Sequence, residues 1–430
     1  MRVLVMGGGA REHALCWAVS RSPQLTKLYC APGNGGTATV AENVALDPAD
    51  SSACADWAAA NTIDLTIIGP ENYLARGIAD VFTARGLRVF GPSAAATRIE
   101  SSKAFAKRLM VEASVPTPRA EIFDGYDEAI QYLDRYEATD NSYPLIIKAD
   151  GLAAGKGVVK AEHGDEARAT LDDFMVRRTL GEAGTTVLIE ECVTGTELSL
   201  FVLCDGERIY PLAPACDYKR ALDNDEGGNT GGMGAYSPPA FATPELLARI
   251  EATIVRPVVA ALAEQSTPFR GLLYAGLMVS GDGLPQVIEF NARFGDPETQ
   301  VVLPRLESDL LELCAAVAAG ALDRVSPPVW SADAACGVVI ASHGYPGAYV
   351  KGFPITGLDA LDPDIVAFHA GTAREPDGQL VTTGGRVLTL VARGATVAEA
   401  RARVYSNINR VYFEGARWRS DIGARALREH

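Results

Sequence analysis

Over the first hundred residues short apolar runs alternate with longer amphipathic segments. "RVLVMG", "KLYCAPG", "DLTIIGPE" and "RVFGPS" read as buried strands, and most intervals between them, Arg11 to Val19 among them, carry helical spacing. Strand and helix in alternation predict a parallel sheet. Several of these strands end in glycine turns, "GGGA", "GNGG" and "GPEN", and ligands of open parallel sheets gather at the carboxyl ends of strands. One ligand touched by three loops is the economical expectation, although each loop alone reads more readily as a closed tight turn.

The next helix, "SSKAFAKRLMVEAS", stops at the prolines of "VPTP", which mark a boundary near residue 116. Beyond it "YPLIIKAD", "GVVKA" and "TVLIEECV" predict strands. The first two enclose "DGLAAGKG", a glycine-rich lid with one lysine. This loop joins two strands and lacks the spacing G-x-x-x-x-G-K-[ST], so it covers phosphates instead of cradling them at a helix tip. From about 195 to 325 the strands "LSLFVLCDG", "GLLYAGLMVS" and "LPQVIEFNARFG" accompany the helices "PELLARIEATIVRPVVAALAEQ" and "SDLLELCAAVAAGAL". After "SPPVW" the chain turns strand-rich, with one helix near "VAEARARVYSNINRVYF" and no obvious cluster of reactive groups, which predicts a supporting domain.

Composition narrows the function classes. The 430 residues are 48% hydrophobic, enough for two to four cores. With 39 basic against 54 acidic residues the net charge is −15, which argues against a nucleic-acid or anionic-membrane surface. Eight scattered cysteines without a C-x-x-C suggest neither zinc nor a disulfide scaffold, and fit reduced thiols in a cytoplasm. No stretch approaches the roughly 18 apolar residues of a membrane span.

The chemistry concentrates in "VIEFNARFGDPETQ". Alternation along a strand puts Glu289 and Asn291 on one side and Ile288 and Phe290 on the other. A carboxylate and an amide oxygen at that spacing suit Mg²⁺, which takes one or two protein oxygens together with phosphates and water. Arg293 joins the same side if the strand continues. Lys148 is the polar member of an apolar strand; it either meets an anion such as phosphate or snorkels to water from the strand end. Lys156 sits in the lid and Lys103 on the preceding helix. Glu197, beyond "VLIEECV", is placed to reach ribose hydroxyls, and the long charged loop "DYKRALDNDEGGNTGGMGAYSP" is of a size that is commonly functional. The first glycine turn remains ambiguous. A dinucleotide fingerprint wants glycine where Glu12 stands and an acid where the second strand ends in Ala31 and Pro32, so a nicotinamide oxidoreductase is the rival reading with two of three features missing.

Taken together, "GGGAREHAL", "PGNGGT", "IGPE", "SSKAFAK", "IIKADGLAAGKGV", "DYKRA", "NTGGMGAYSP", "EFNARFGDPETQ", "GGRVL" and "SDIG" resemble, in order and along the whole chain, the phosphoribosylamine-glycine ligase (glycinamide ribonucleotide synthetase) family of the ATP-grasp superfamily. The resemblance implies an α/β and α+β multidomain protein. Its parts are an amino-terminal parallel-sheet domain at 1–102, an ATP-grasp domain at 103–325 (small lid subdomain 118–193, larger subdomain 194–325) and a mixed carboxyl-terminal domain at 326–430. It implies a cytoplasmic monomer that joins glycine to 5-phosphoribosylamine with ATP and Mg²⁺, Mn²⁺ being an alternative. ATP falls to Lys103, Lys148, Glu190, Val193 and Glu197, with the lid at Gly151, Gly155, Lys156 and Gly157. The sugar phosphate falls to Gly8, Gly9, Asn34, Gly35, Pro70 and Glu71, and the metal to Glu289 and Asn291. Asp217, Lys219, Arg220 and Arg293 match charged positions near the reacting groups. The pattern is departed from at Tyr218, where the family often has histidine, and at Gly228, where it often has proline.

Overall fold

The computed structural model describes residues 1–139, 143–153 and 155–427. At the amino end five strands form an all-parallel sheet in the order Glu42–Asn43, Lys27–Pro32, Arg2–Gly7, Leu65–Ile68, Val89–Phe90. Its central strands are apolar on both faces because helices cover both. Val3 and Val5 join the core of helix Ala10–Val19, while Leu4 and Met6 join that of helix Ser51–Ala60. Strand order reverses beside Arg2–Gly7, so the three glycine turns open together at the carboxyl edge of the sheet.

Two antiparallel sheets follow. The smaller has the order Ala120–Phe123, Val187–Glu191, Leu145–Ala149, Val158–Ala161, and the larger Ile209–Pro211, Thr196–Asp205, Arg270–Val279, Pro285–Asn291. Only the turn at 192–195 separates strand Val187–Glu191 from strand Thr196–Asp205, so a cleft lies between the sheets. Helix Leu310–Ala319 fuses the larger sheet to the amino-terminal one. Asp309 caps its start by accepting from the backbone N–H of Leu311, and Gly320 ends it at φ +66°. Its Leu311, Cys314 and Val317 are fully buried among Leu65, Leu203 and Leu272, worth on the order of 1.5–3 kcal/mol for each large aliphatic side chain.

The last sheet runs Cys216–Asp217, Gly234–Ser237, Ala334–Ser342, Arg386–Gly394, Ile365–His369, antiparallel throughout, under helix Val397–Ile408. It draws on both sides of residue 325. The strand that carries Asp217 is therefore hydrogen-bonded into the carboxyl-terminal domain. No helix among the described residues is long and apolar enough to cross a membrane.

Candidate active site

Strand Pro285–Asn291 departs from simple alternation. Its pairing with Arg270–Val279 shifts by one residue, Gly276 facing Glu289 and Leu277 facing Val287, which leaves Ile288 as a bulge. Val287 and Phe290 both enter the core, so Ile288 does not share a face with Phe290 as alternation predicts. The bulge frees the Ile288 carbonyl, which accepts from Lys148 Nζ at 3.0 Å. After it alternation resumes, and Glu289 and Asn291 share one face.

Around Glu289 the cleft is cationic. Lys219 Nζ lies 3.5 Å from Glu289 Oε1 and 3.6 Å from Glu197 Oε2. Lys219, then Lys148, Lys103 and Arg293, hold the Glu289 carboxyl at about 2, against the opposing effect of burial. Burial works against the Lys219 ammonium too, but Glu197, Glu289 and Asp217 outweigh it and keep it well above its ordinary value. Asp217 is 5% exposed. Burial pushes its carboxyl well up; Lys219 pulls it back, and Glu298, Glu197 and Glu289 push it further.

Lys148 has an anionic partner within the protein. Its Nζ is 3.0 Å from Glu190 Oε2, and Glu190, 2% exposed, is also 3.5 Å from Lys107 Nζ. Lys107, whose helical position carries no signal of this role in the sequence, donates to Thr117 Oγ1 at 2.7 Å and to Pro118 O at 2.8 Å, pinning the linker to the smaller sheet. Lys103 is aimed by its helix cap: Ser102 Oγ accepts from Phe105 N, Asp150 accepts from Ala104 N, and Lys103 Nζ donates to Gly151 O at 3.3 Å. In the lid Gly155 takes φ +79°, Lys156 is exposed and Gly157 is buried. Val193 lies half-buried in the turn between the sheets.

A separate cavity of about 300 Å³ opens where the first glycine turn meets the carboxyl-terminal domain. Gly8, Gly9 and Asn34 line one side; Tyr345, Thr372, Thr383 and Arg386 line the other, and Asp296 closes it. Arg386 Nη2 is 3.1 Å from Asp296 Oδ2. The carboxyl-terminal domain, expected to hold no reactive cluster, thus lines a cavity together with the first glycine turn. The motif "GGRVL", which contains Arg386, was the available signal, as was the acid of "RFGDPE" for Asp296. Glu12 decides what the turn is not. Its Oε2 accepts from Gly9 N at 2.6 Å and its Oε1 from Arg11 Nε at 2.6 Å, while a Cβ on Gly69 would fall 2.0 Å from that Oε1. The carboxylate fills the place of the fingerprint's last glycine and bonds back to its own turn, so the turn departs from the dinucleotide pattern.

Models of the phosphoribosylglycinamide synthetase N domain, ATP-grasp (A) domain and C domain match residues 1–100, 101–299 and 335–425. The chain belongs to the phosphoribosylglycinamide synthetase family. A phosphoribosylamine–glycine ligase from Halalkalibacterium halodurans is 47% identical over 100% of this chain and 98% of its own length. The crystal structure of the Thermotoga maritima phosphoribosylamine–glycine ligase superposes with a TM-score of 0.84 at 33% identity, over 98% of this chain and 100% of that one. A biotin carboxylase domain from Hydrogenobacter thermophilus has a TM-score of 0.74 at 17% identity over 97% of this chain and 91% of its own, a likeness of fold alone.

Several positions that the family resemblance assigns to ligands have other partners here. Arg293 Nε is 3.0 Å from Glu71 Oε2, and its Nη2 is 3.1 Å from Glu100 Oε1 and 3.0 Å from Asn291 Oδ1. It ties the amino-terminal domain to the strand of Glu289 and Asn291. Burial pushes the Glu71 carboxyl up, but Arg293 and Arg11 outweigh it and hold it at about 2. Pro70 serves as the residue before helix Glu71–Ala75. Arg220 stands apart from Lys219 and donates to Gly227 O within its own hairpin. The Asn34 side chain donates to Gly8 O and His369 O and accepts from Gly36 N and Thr37 N, so it braces the cavity wall. Gly35 packs against Thr372 and Leu380, where a Cβ would fall 2.5 Å from Leu380 Cδ1.

Behind this wall His369 N donates to His13 Nδ1 at 2.9 Å, joining the first helix to the last sheet. Burial, then His369, lowers His13 to about 3; burial, then Arg374, lowers His369 to about 4. Both are neutral when folded, while the unfolded chain takes up protons below the ordinary value of 6.5, so their contribution to stability is full above that pH and lost toward pH 3–4. A His13→Asn variant is therefore expected to show a shallower fall in Tm between pH 6.5 and 4 than the parent, read by calorimetry. Parallel curves would assign the acid sensitivity elsewhere.

Proposed function

We propose that this chain joins the carboxyl of glycine to the amine of 5-phosphoribosylamine, converting ATP to ADP and phosphate and releasing glycinamide ribonucleotide, a step of purine biosynthesis. The observation that carries the reading is the short segment from Glu289 to Asp296. Its first residues face the cationic cleft, and its last closes the cavity of the first glycine turn. Phosphoryl chemistry and amine delivery meet on one stretch of chain.

In this reading ATP lies between the two antiparallel sheets, with Lys103 and Lys148 at its phosphates, Glu197 at the ribose and Glu190 and Val193 at the base, under the lid of Gly151, Gly155, Lys156 and Gly157. Glu289 and Asn291 hold Mg²⁺. One ionised carboxylate and one amide oxygen, the latter also accepting from Arg293 Nη2, form a donor set that would suit this ion together with phosphates and water. When bound, the ion neutralises phosphoryl charge. A glycine carboxylate oxygen attacks the γ-phosphorus to give glycyl phosphate, and the amine then displaces phosphate. Lys219 faces the developing negative charge. Asp217, a buried carboxylate, is suited to an ammonium or amine. Arg386 and the glycine turn take the sugar phosphate, and exclusion of water protects the acyl phosphate.

The eight free thiols suit a reducing compartment. The deciding experiment measures phosphate release from ATP. It is expected to require glycine and phosphoribosylamine together, with Mg²⁺; equal release with another acid and amine would assign a different ligation.

A further inference from the structure

The motif "SDIG" takes no part in the cleft or the cavity, yet it is heavily bonded. Ser420 N donates to Asp223 Oδ1 at 2.8 Å and its hydroxyl bonds the other oxygen of Asp223, while Asn224 N donates to Asp421 Oδ2 at 3.0 Å. Next to it Arg419, 1% exposed, donates to Arg220 O and Asp225 Oδ1, each at 3.0 Å, and pairs with Asp421. Arg425 pairs with Asp225, and its backbone N–H donates to the Tyr218 hydroxyl at 3.3 Å. Both guanidinium groups lie against the Tyr218 ring, 4.8 and 4.6 Å from its centroid.

Tyr218 stands between Asp217 and Lys219. It is 1% exposed and packs with Met233 and Tyr236 in the carboxyl-terminal core, and its backbone pairs with Gly234 and Met233. Side chains alternate along extended backbone, so fixing the ring on one side fixes its two neighbours on the other. The same contacts brace hairpin Arg220–Asn229, whose Asn229 Nδ2 reaches Val158 O of the smaller sheet at 3.5 Å.

We infer that the segment from Arg419 to Arg425 is a positioning element for the ligation: it sets Asp217 and Lys219 against the reacting centre through Tyr218 and holds the hairpin beside it. The inference rests on the acyl-phosphate reading above. If Asp217 and Lys219 shift, amine attack slows and water competes. The water oxygen then bonds to the glycyl carbonyl carbon, the bond from that carbon to the phosphate oxygen breaks, phosphate leaves and a proton goes to solvent. The net change is hydrolysis of ATP with glycine regenerated.

The test compares phosphate released with amide formed in the full-length enzyme. The parent releases one phosphate for each amide. Arg419→Gln is expected to lower amide turnover roughly ten- to hundredfold, the scale of a small misplacement, and to release phosphate in excess, with KM for ATP little changed. Arg419→Lys is expected to recover part of the coupling. Because Arg419 is buried, Asp223→Ala supplies a second variant. It severs both Ser420 contacts at a surface position and is expected to show the same excess with a near-parental Tm. One phosphate for each amide in Asp223→Ala, and in Arg419→Gln where it folds, would overturn the positioning role. A parent enzyme whose phosphate release does not require both substrates would instead overturn the ligation reading.

Discussion

Glu289→Gln is expected to lower turnover by roughly two to three orders of magnitude and to raise the Mg²⁺ concentration needed for half-maximal rate, the scale seen when one preorganised charge is removed from a transition-state site. Mg²⁺ prefers anionic oxygen and gives up its waters reluctantly, so the amide keeps the shape and loses the attraction. Asn291→Asp is expected to be much milder, because it retains the oxygen. The neighbours of Glu289 are Lys219, Lys148, Lys103 and Arg293. Glu289→Gln should also lower Tm at neutral pH. The carboxylate is held below its ordinary value of 4.5, so the stability it contributes is full above that pH and gone near pH 2, and the Tm difference should shrink across that window. Titration of rate against Mg²⁺ at fixed ATP decides the role. An unchanged half-saturation, together with a lowered Tm, would make Glu289 a charge-balancing residue only.

How much of this site was legible follows from the range of the interactions involved. Period-two and helical patterns are local, so the parallel sheet, the two strands around the lid and the strand of Glu289 and Asn291 could be read from the residues themselves. A bulge is not local. Nothing in "PQVIEFN" says that Ile288 is the extra residue, because the register is set by its partner strand. The cavity was missed for the same reason: Thr372, Thr383 and Arg386 meet Gly8 only after more than 360 residues of intervening chain have folded. The rejected dinucleotide reading shows the opposite case. Glu12 was noticed as a missing glycine, and the structure gives that absence a cause, since the carboxylate caps its own turn at Gly9.

Arg293 illustrates a further limit. Its residue type and spacing suggested an anion contact, yet Glu71 and Glu100 from the amino-terminal domain occupy it. Sequence separations of 222 and 193 residues hide such partners. Side-chain chemistry was legible; its satisfaction was not.

Lys148→Met carries the same distinction into a measurement. The lysine sits in a buried pair with Glu190, at 3.0 Å, and donates to Ile288 O, so removing its charge leaves a carboxylate that is 2% exposed with only Lys107, 3.5 Å away. Breaking a buried pair costs about 3–5 kcal/mol, an upper limit here because Lys107 remains. A clear fall in Tm is expected. ATP affinity is expected to fall roughly 10- to 100-fold as well, the value of one hydrogen bond to a charged group. Stability and affinity can be separated with Lys148→Met/Glu190→Gln, which removes both charges and leaves Lys107 satisfied by Thr117 and Pro118. The double variant should regain part of the lost Tm, because no buried carboxylate is left short of a partner although Lys107 loses its counter-ion, while its affinity for a non-hydrolysable ATP analogue, measured by calorimetry against Glu190→Gln alone, stays low. Recovery of affinity together with Tm would mean that Lys148 serves ATP only by neutralising Glu190, and that Lys103 and Lys219 carry the phosphates without it.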